Sequence, residues 1–231
     1  MKISLVLFTL FISGISQIVN ASPLPTNQSP IKIICIGDSI TQGGKINGDY
    51  TNRVPLYARL KQKGLKVDFI GTQTMGVKDS FQWPNGFDRQ HEGFYGASTN
   101  EVKNELKVDL PKLQAPDIAI IDLGTNDRGK DVGKSIIRPL SNIIAQLRAR
   151  NVNVKIFIVQ IPGFFENLSM HYLIWQMSDD LNQSISTITN IPLYFGWDTK
   201  VDTFDGVHPN IHGQNKMAKA IFLKLKPFLP K

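Results

Sequence analysis

Short apolar runs, separated by longer amphipathic segments, recur along most of the chain. Apolar runs of about four to eight residues bounded by turn residues are typical of strands buried on both faces, since buried helices are usually longer. The sequence predicts five such strands, at Ile31–Ile36, Lys66–Ile70, Asp117–Leu123, Val154–Gln160 and Ile191–Phe195.

Most segments between these strands place apolar residues three and four positions apart, which is the spacing of a helix with one buried face. Pro111 ends the second predicted helix and Pro139 interrupts the third. Alternating strands and helices predict an α/β protein in which helices cover both faces of a parallel sheet. The predicted helices cover Arg53–Lys63, a segment capped by Ser98 or Thr99 that runs to about Leu110, Ser135–Arg150, His171–Ile188 and Ile211–Leu225.

The N-terminal residues follow a different pattern. Lys2 provides a positive start, Leu5–Ile12 is almost continuously apolar, and Val19-Asn20-Ala21 has the small or modest residues of a cleavage site. This order predicts a signal peptide over residues 1–21 and export to the periplasm or the cell exterior; the alternative is a buried N-terminal helix or strand. Residues 22–30, rich in Pro, Ser and Asn, form a predicted linker.

The composition is that of one globular domain, which we expect over residues 31–231. Of the 231 residues, 42% are apolar and 19% are charged, so a substantial core is expected and wholesale disorder is not. No later run approaches the ~20 apolar residues that cross a bilayer, and we expect no stable membrane insertion. The net charge of +7 is dispersed without an arginine-rich run, and we expect no nucleic-acid partner.

Cysteine chemistry is limited because Cys35 is the only cysteine. The chain therefore has no intrachain disulfide and no cysteine-based metal cage. Cys35 lies within the first apolar strand, where a core thiol is favoured over a nucleophile.

Candidate chemistry follows directly after the first predicted strand. In parallel sheets, ligands bind beyond the carboxyl ends of the strands, and the serine of Gly37-Asp38-Ser39-Ile40-Thr41-Gln42-Gly43 stands at such an end. A serine needs a base elsewhere to become a nucleophile. A phosphate-binding loop is excluded at Gly44-Lys45, since Ser39 stands where that motif has glycine and Ile46 follows the lysine. The Gly-x-Ser-x-Gly elbow is absent as well.

Two further segments have the residues that such a serine requires. Gly124-Thr125-Asn126-Asp127 follows the third strand, and the amide of Asn126 can donate to a developing oxyanion; the alternative is an ordinary turn. In Asp205-Gly206-Val207-His208-Pro209-Asn210, the aspartate can bond one ring nitrogen of the histidine and direct the other toward a serine. The alternative there is an Asx-turn with a solvent-facing histidine.

A weaker candidate is the segment His91–Ala97, between the second strand and the next helix. Gly96 can present a backbone N–H where a side chain would obstruct a substrate. His91 competes with His208 as a base, although no acidic residue stands at turn spacing after it. Glu92 is interpreted as a loop-ordering residue rather than a catalytic carboxylate.

Taken in chain order, these segments resemble the four blocks of the SGNH (GDSL) hydrolases, from about Ile31 to Phe228. The resemblance implies a three-layer α/β/α sandwich with a central, mainly parallel five-stranded sheet of flavodoxin-like type. It implies a serine esterase that uses no metal and no organic cofactor.

The same resemblance implies a role for each motif residue. Ser39 would be the nucleophile, His208 the general base and acid, and Asp205 the residue that orients it. The oxyanion hole would consist of the backbone N–H groups of Ser39 and Gly96 and the side chain of Asn126.

Within that family, Phe69-Ile70-Gly71 and His91-Glu92-Gly93 with Gly96 look most like the acetylxylan esterases of carbohydrate esterase family 3. Those proteins commonly have Trp after the second glycine, where this chain has Ala97. The favoured function is hydrolysis of a small-molecule or polysaccharide ester, most of all an O-acetylated carbohydrate. The alternatives are a lipase, lysophospholipase or thioesterase acting on longer acyl chains, and a non-catalytic carbohydrate-binding protein with an esterase fold.

Overall fold

The central sheet has six parallel strands in the part of the chain that the computed structural model describes, residues 29–45, 50–78, 80–127, 131–160, 168–193 and 196–230. The predicted signal peptide and residues 22–28 of the predicted linker lie outside these residues. The strands are β1 (Ile31–Gly37), β2 (Val67–Ile70), β3 (Glu92–Gly93), β4 (Ile118–Asp122), β5 (Lys155–Gln160) and β6 (Ile188–Pro192).

The strand order is β2-β1-β4-β5-β6, and its four neighbouring pairs, together with the pair of β1 and β3, are all parallel. β2 pairs with the first half of β1, and the two-residue β3 pairs with its last residues, Ile36 and Gly37. β3 thus continues the edge that β2 begins. The five predicted strands form this sheet, and β3 is an addition too short for a hydrophobic pattern to indicate.

Helices cover both faces of the sheet, which confirms the three-layer α/β/α architecture. Side chains alternate across β1 and β4, so that Ile33 and Ile118 face one core and Ile34 and Ala119 face the other. The first core is closed by α2 and α7, and the second by α3, α4 and α5. The helices are α1 (Ser39–Gln42), α2 (Arg53–Gln62), α3 (Thr99–Asp109), α4 (Arg138–Arg150), α5 (Leu168–Leu181), α6 (Thr199–Asp202) and α7 (Ile211–Leu225).

Local sequence signals explain several of the helix ends. Ser98 accepts from the backbone of Glu101, whose carboxylate in turn accepts from the backbone of Ser98, so a reciprocal capping box starts α3. Pro139 lies in the first turn of α4, directly after a π-helical turn at Gly133–Ile137, and this is the predicted interruption. Both bounds of α7 agree with the prediction.

The predicted helix His171–Ile188 is wrong at its C-terminal end. α5 ends at Leu181, and the side chain of Asn182 accepts from the backbone N–H of Ile188 at 2.9 Å across a tight turn. Ile188 then begins β6, paired with Ile156 of β5, so β6 starts before the predicted Ile191. Apolar residues at helical spacing continue through the turn, and pairing with β5 decides the strand. No helix among the described residues has the length and apolar content to cross a bilayer.

Candidate active site

Three loops meet at the carboxyl ends of β1 and β4. Gly37 of β1 is the register partner of Asp122 of β4, so the segments that follow these two strands lie side by side. Ser39 stands on the first segment and Asn126 on the second. The loop before α7 adds His208. The parallel topology therefore brings together residues that are far apart in sequence.

Ser39 is the first residue of the short helix α1. Asp38 caps this helix, since its Oδ1 accepts from the N–H of Ile40 at 2.9 Å. A Cβ on Gly37 would lie 2.1 Å from Oγ1 of Thr41 and 2.6 Å from the carbonyl oxygen of Asp122. Only glycine therefore lets the chain turn out of β1 into the serine helix at this spacing.

The buried Arg53, at the start of α2, stabilises the serine helix α1 through hydrogen bonds. Its Nε donates to the carbonyl of Thr41 at 2.9 Å, and its guanidinium also donates to the carbonyl of Arg89 at 3.0 Å. The guanidinium lies over the rings of Trp83 and Phe87 at 5.7 and 5.4 Å from their centroids. Burial lowers the pKa of Arg53 to about 10, so the group keeps its charge at neutral pH.

His208 lies between Ser39 and Asp205, within hydrogen-bonding distance of both. Nε2 of His208 lies 3.0 Å from Oγ of Ser39, and Nδ1 lies 2.7 Å from Oδ2 of Asp205. A carboxylate only accepts, so Nδ1 donates to Asp205 and Nε2 is left to accept the hydroxyl proton of Ser39. The ring of Phe204 stacks on His208 with the centroids 5.6 Å apart. The three residues have the geometry of a Ser–His–Asp triad.

Asp205 is held as a carboxylate by its own turn. Partial burial acts to raise its pKa, but hydrogen bonds from the backbone and ring of His208 and from the N–H of Val207 outweigh burial and hold the pKa below its usual value. Asn210 caps α7 and donates to the carbonyl of Val201 at 2.8 Å. This bond ties the turn that contains Asp205 and His208 to helix α6.

Asn126 links the serine segment to the loop that carries Gly96. Its Nδ2 donates to the carbonyl of Ala97 at 3.0 Å and approaches Oδ2 of Asp38 at 3.3 Å. Gly96 has a φ of 73°, a conformation that favours glycine. The structure thus brings the three predicted oxyanion residues, Ser39, Gly96 and Asn126, to one edge of the sheet.

His91, the competing base, is a buried structural residue. Its Nδ1 accepts from the N–H of Gly93 at 2.9 Å and its Nε2 lies 3.1 Å from the carbonyl of Met75. Burial, with a smaller contribution from the charge of Arg53, lowers the pKa of His91 to about 2. The side chain of Glu92 accepts from the N–H of Thr72, which agrees with its predicted ordering role. Cys35 is buried in the core, as expected.

Two buried acids beneath Ser39 were not predicted as site residues. Burial raises the pKa of Asp38 to about 6. Asp122 is 2% exposed, and neither of its carboxyl oxygens has a hydrogen-bond partner among the described residues. Burial, reinforced by the neighbouring charge of Asp38, raises the pKa of Asp122 well above its usual value. For Asp122, the only sequence signal is an acidic residue at the end of an apolar strand.

A Ser–His–Asp arrangement at the carboxyl edge of a parallel sheet, inside an α/β/α sandwich, is the arrangement of the α/β serine hydrolases. Residues 35–216 match the GDSL-like lipase/acylhydrolase family, and the chain belongs to that family. It is 29% identical over 249 residues to a multidomain esterase of Ruminococcus flavefaciens. That alignment covers 95% of this chain and 32% of the relative, so the chain spans about a third of its length.

Two solved structures show the same fold at the same level of similarity. One is a carbohydrate esterase of family 3 from Talaromyces cellulolyticus, with a TM-score of 0.74 and 25% identity over 85% of this chain and 96% of that one. The other is a serine-to-alanine variant of an acetyl esterase with acetate ion, with the same TM-score, identity and coverage. The described domain therefore has the fold of the GDSL/SGNH esterases and is similar to the family 3 carbohydrate esterases.

Proposed function

We propose that this chain removes acetyl groups from carbohydrates by acyl transfer to Ser39. The observation that carries the proposal is the pair of hydrogen-bonding contacts that His208 makes with Asp205 and with Ser39. The likeness to a family 3 carbohydrate esterase and to an acetyl esterase supports an acetylated sugar as the substrate.

In the first step, Nε2 of His208 takes the hydroxyl proton of Ser39 as Oγ attacks the ester carbonyl. The tetrahedral oxyanion is stabilised by the N–H groups of Ser39 and Gly96 and by the side chain of Asn126. His208 then returns the proton to the leaving alkoxide as the ester C–O bond breaks, which leaves an acetyl group on Ser39 and releases the sugar alcohol.

In the second step, water replaces the alcohol. His208 removes a proton from the water as its oxygen attacks the acyl-enzyme, and the same proton returns to Oγ of Ser39 when acetate leaves. Asp205 holds the ring in the required tautomer and stabilises the imidazolium that forms in each step. The reaction balances with water as the only co-reactant.

We propose that residues 1–21 direct export, so that the enzyme meets its substrate in the periplasm or outside the cell. The basis is the order of positive residue, apolar segment and cleavage site. N-terminal sequencing of the protein recovered from the medium or periplasm checks this proposal. A mature chain that begins at Ser22 is expected, and an uncleaved chain retained in the cytoplasm contradicts it.

The substrate class is tested with esters that differ in one variable at a time. Initial rates on acetate, butyrate and octanoate esters of one alcohol give the acyl preference, and acetylated xylan adds the carbohydrate. We expect a steep decline beyond acetate together with release of acetate from the polysaccharide. A preference for octanoate contradicts the proposal and favours a lipase or thioesterase activity. Ser39→Ala, assayed in parallel, gives the background rate.

A further inference from the structure

Tyr95 is a large exposed aromatic residue beside the proposed oxyanion hole. Its side chain leaves 53% of the residue accessible to solvent, although Phe94, next to it, packs against the core. The peptide bond after Tyr95 carries the N–H of Gly96, and the Cα atoms of the two residues are about 3.8 Å apart. The tyrosine therefore branches from the same peptide unit that presents a proposed oxyanion donor.

The backbone that carries this ring is fixed on both sides. The N–H of Tyr95 donates to Oε1 of Gln42 at 2.8 Å, at the end of the serine helix. The N–H of Phe94 donates to the carbonyl of Gly37 at 3.0 Å, and the N–H of Ala97 donates to the carbonyl of Phe94 at 3.1 Å. The backbone of this segment therefore needs no reordering when a ligand covers the ring, which lowers the cost of binding.

Lys45 places a positive charge beside the ring of Tyr95. Its Nζ lies 5.6 Å from the centroid of the Tyr95 ring, in a cation–π contact. An aromatic face beside an ammonium and a phenolic hydroxyl offers an apolar surface together with hydrogen-bonding groups. A pyranose has the same mixture, since its C–H groups form an apolar face and its hydroxyl groups lie at the edge.

We propose that Tyr95 and Lys45 form a subsite for the sugar ring that carries the acetyl group; this inference rests on the proposed function. The pyranose stacks on the tyrosine, and its hydroxyl groups accept from Nζ of Lys45. An alkyl leaving group is a poor occupant, because it would cover the ammonium without offering it an acceptor. The subsite therefore favours a carbohydrate leaving group over an apolar one.

The test compares two acetates that share an acyl group and differ in the alcohol. Acetylated xylooligosaccharides provide a sugar ring, and ethyl acetate provides none; acetate release is followed for both. Tyr95→Ala removes the ring, Tyr95→Phe keeps it, and Trp175→Ala is a control at another exposed aromatic residue, on α5.

We expect Tyr95→Ala to lower kcat/KM on the oligosaccharides by about tenfold, mainly through KM, which is the range of one aromatic contact. On ethyl acetate its kcat/KM stays within about twofold of wild type. Tyr95→Phe keeps the stacking face and should lose less than Tyr95→Ala on the oligosaccharides, and Trp175→Ala keeps wild-type values on both substrates. Equal losses on both substrates would instead place Tyr95 among the residues that position Gly96, and no loss on either would also overturn the subsite.

The wild type and Tyr95→Ala together separate the two proposals. Hydrolysis of the oligosaccharides by the wild type, with no selective loss of that activity in Tyr95→Ala, overturns the sugar subsite and leaves the proposed function in place. Hydrolysis of ethyl acetate alone by the wild type overturns the carbohydrate part of the proposed function. Absence of hydrolysis of both acetates, in a protein that is folded, overturns the proposed function itself.

Discussion

Replacement of Asp205 by asparagine isolates the contribution of one oxygen atom. In the wild type, Oδ2 of Asp205 accepts from Nδ1 of His208 at 2.7 Å. Asparagine has an N–H group there in its place, so Nδ1 no longer has an acceptor and the ring keeps its proton on Nε2 instead. Nε2 then donates to Oγ of Ser39 rather than accepting from it, and the serine is not activated.

The expected loss follows from this tautomer change. Inverting the tautomer in a serine hydrolase lowers kcat by about 10⁴-fold, which is about 5 kcal/mol of transition-state stabilisation. The side chain of Asp205 is 35% exposed, so water can partly replace the missing acceptor. We therefore expect kcat/KM on a small acetyl ester to fall by about 10³- to 10⁴-fold.

The fold is expected to survive this change. Oδ1 accepts from the N–H of His208 at 2.7 Å and from that of Val207 at 3.0 Å, and asparagine keeps this oxygen. The melting temperature of Asp205→Asn should lie within about 3 °C of wild type. The exposed Asp180 provides a matched control, and Asp180→Asn should keep full activity. An Asp205→Asn variant that retains more than a tenth of wild-type kcat/KM would refute this reasoning.

Three other substitutions test the surroundings of the site. Asn126→Ala should lower kcat by about 10²- to 10³-fold with little change in KM, and a wild-type kcat in steady-state assays would contradict its role. Arg53→Met leaves buried carbonyls without donors and should lower the free energy of unfolding by about 3 kcal/mol in urea titrations. A change below about 1 kcal/mol would contradict the stabilising role of Arg53. The raised pKa of Asp122 means that the unfolded chain releases this proton above about pH 4 while the folded chain keeps it, so the contribution of Asp122 to stability falls as pH rises. Asp122→Asn cannot titrate, so its stability relative to wild type should increase between about pH 4 and pH 7. The same difference in melting temperature between variant and wild type at both pH values would show the expectation to be wrong.

Strand–helix alternation was sufficient to predict the architecture. β1 and β4 are buried on both faces and therefore appear as continuous apolar runs in the sequence. β3 has only two residues, and its existence depends on pairing with Ile36 and Gly37 rather than on its own pattern. The start of β6 was misplaced for a similar reason, since pairing with β5 decides it.

The site residues were predictable because each of them follows a strand or precedes a helix. Ser39 and His208 are 169 positions apart, and the rule that parallel strands present ligands at one edge led us to expect them at one site. The structure places them in contact; their catalytic roles stay predictions.

Arg53 and Asp122 escaped prediction because their environments are made by distant segments. Arg53 donates to the carbonyl of Arg89, 36 positions along the chain, and Asp122 lies beside the end of β1. A charged residue inside an apolar pattern is the only local sign of either. Sequence alone does not distinguish such a residue from one that reaches solvent.

The central claim is that Ser39 forms the acyl-enzyme, and active-site labelling tests it most directly. A fluorophosphonate phosphorylates an activated serine, and trypsin then releases residues 33–45 as one peptide in which Ser39 is the sole serine. We predict one adduct, located on Ser39 by tandem mass spectrometry, formed in step with the loss of esterase activity and absent from Ser39→Ala. An adduct on another serine, or full esterase activity in Ser39→Ala, would contradict the account.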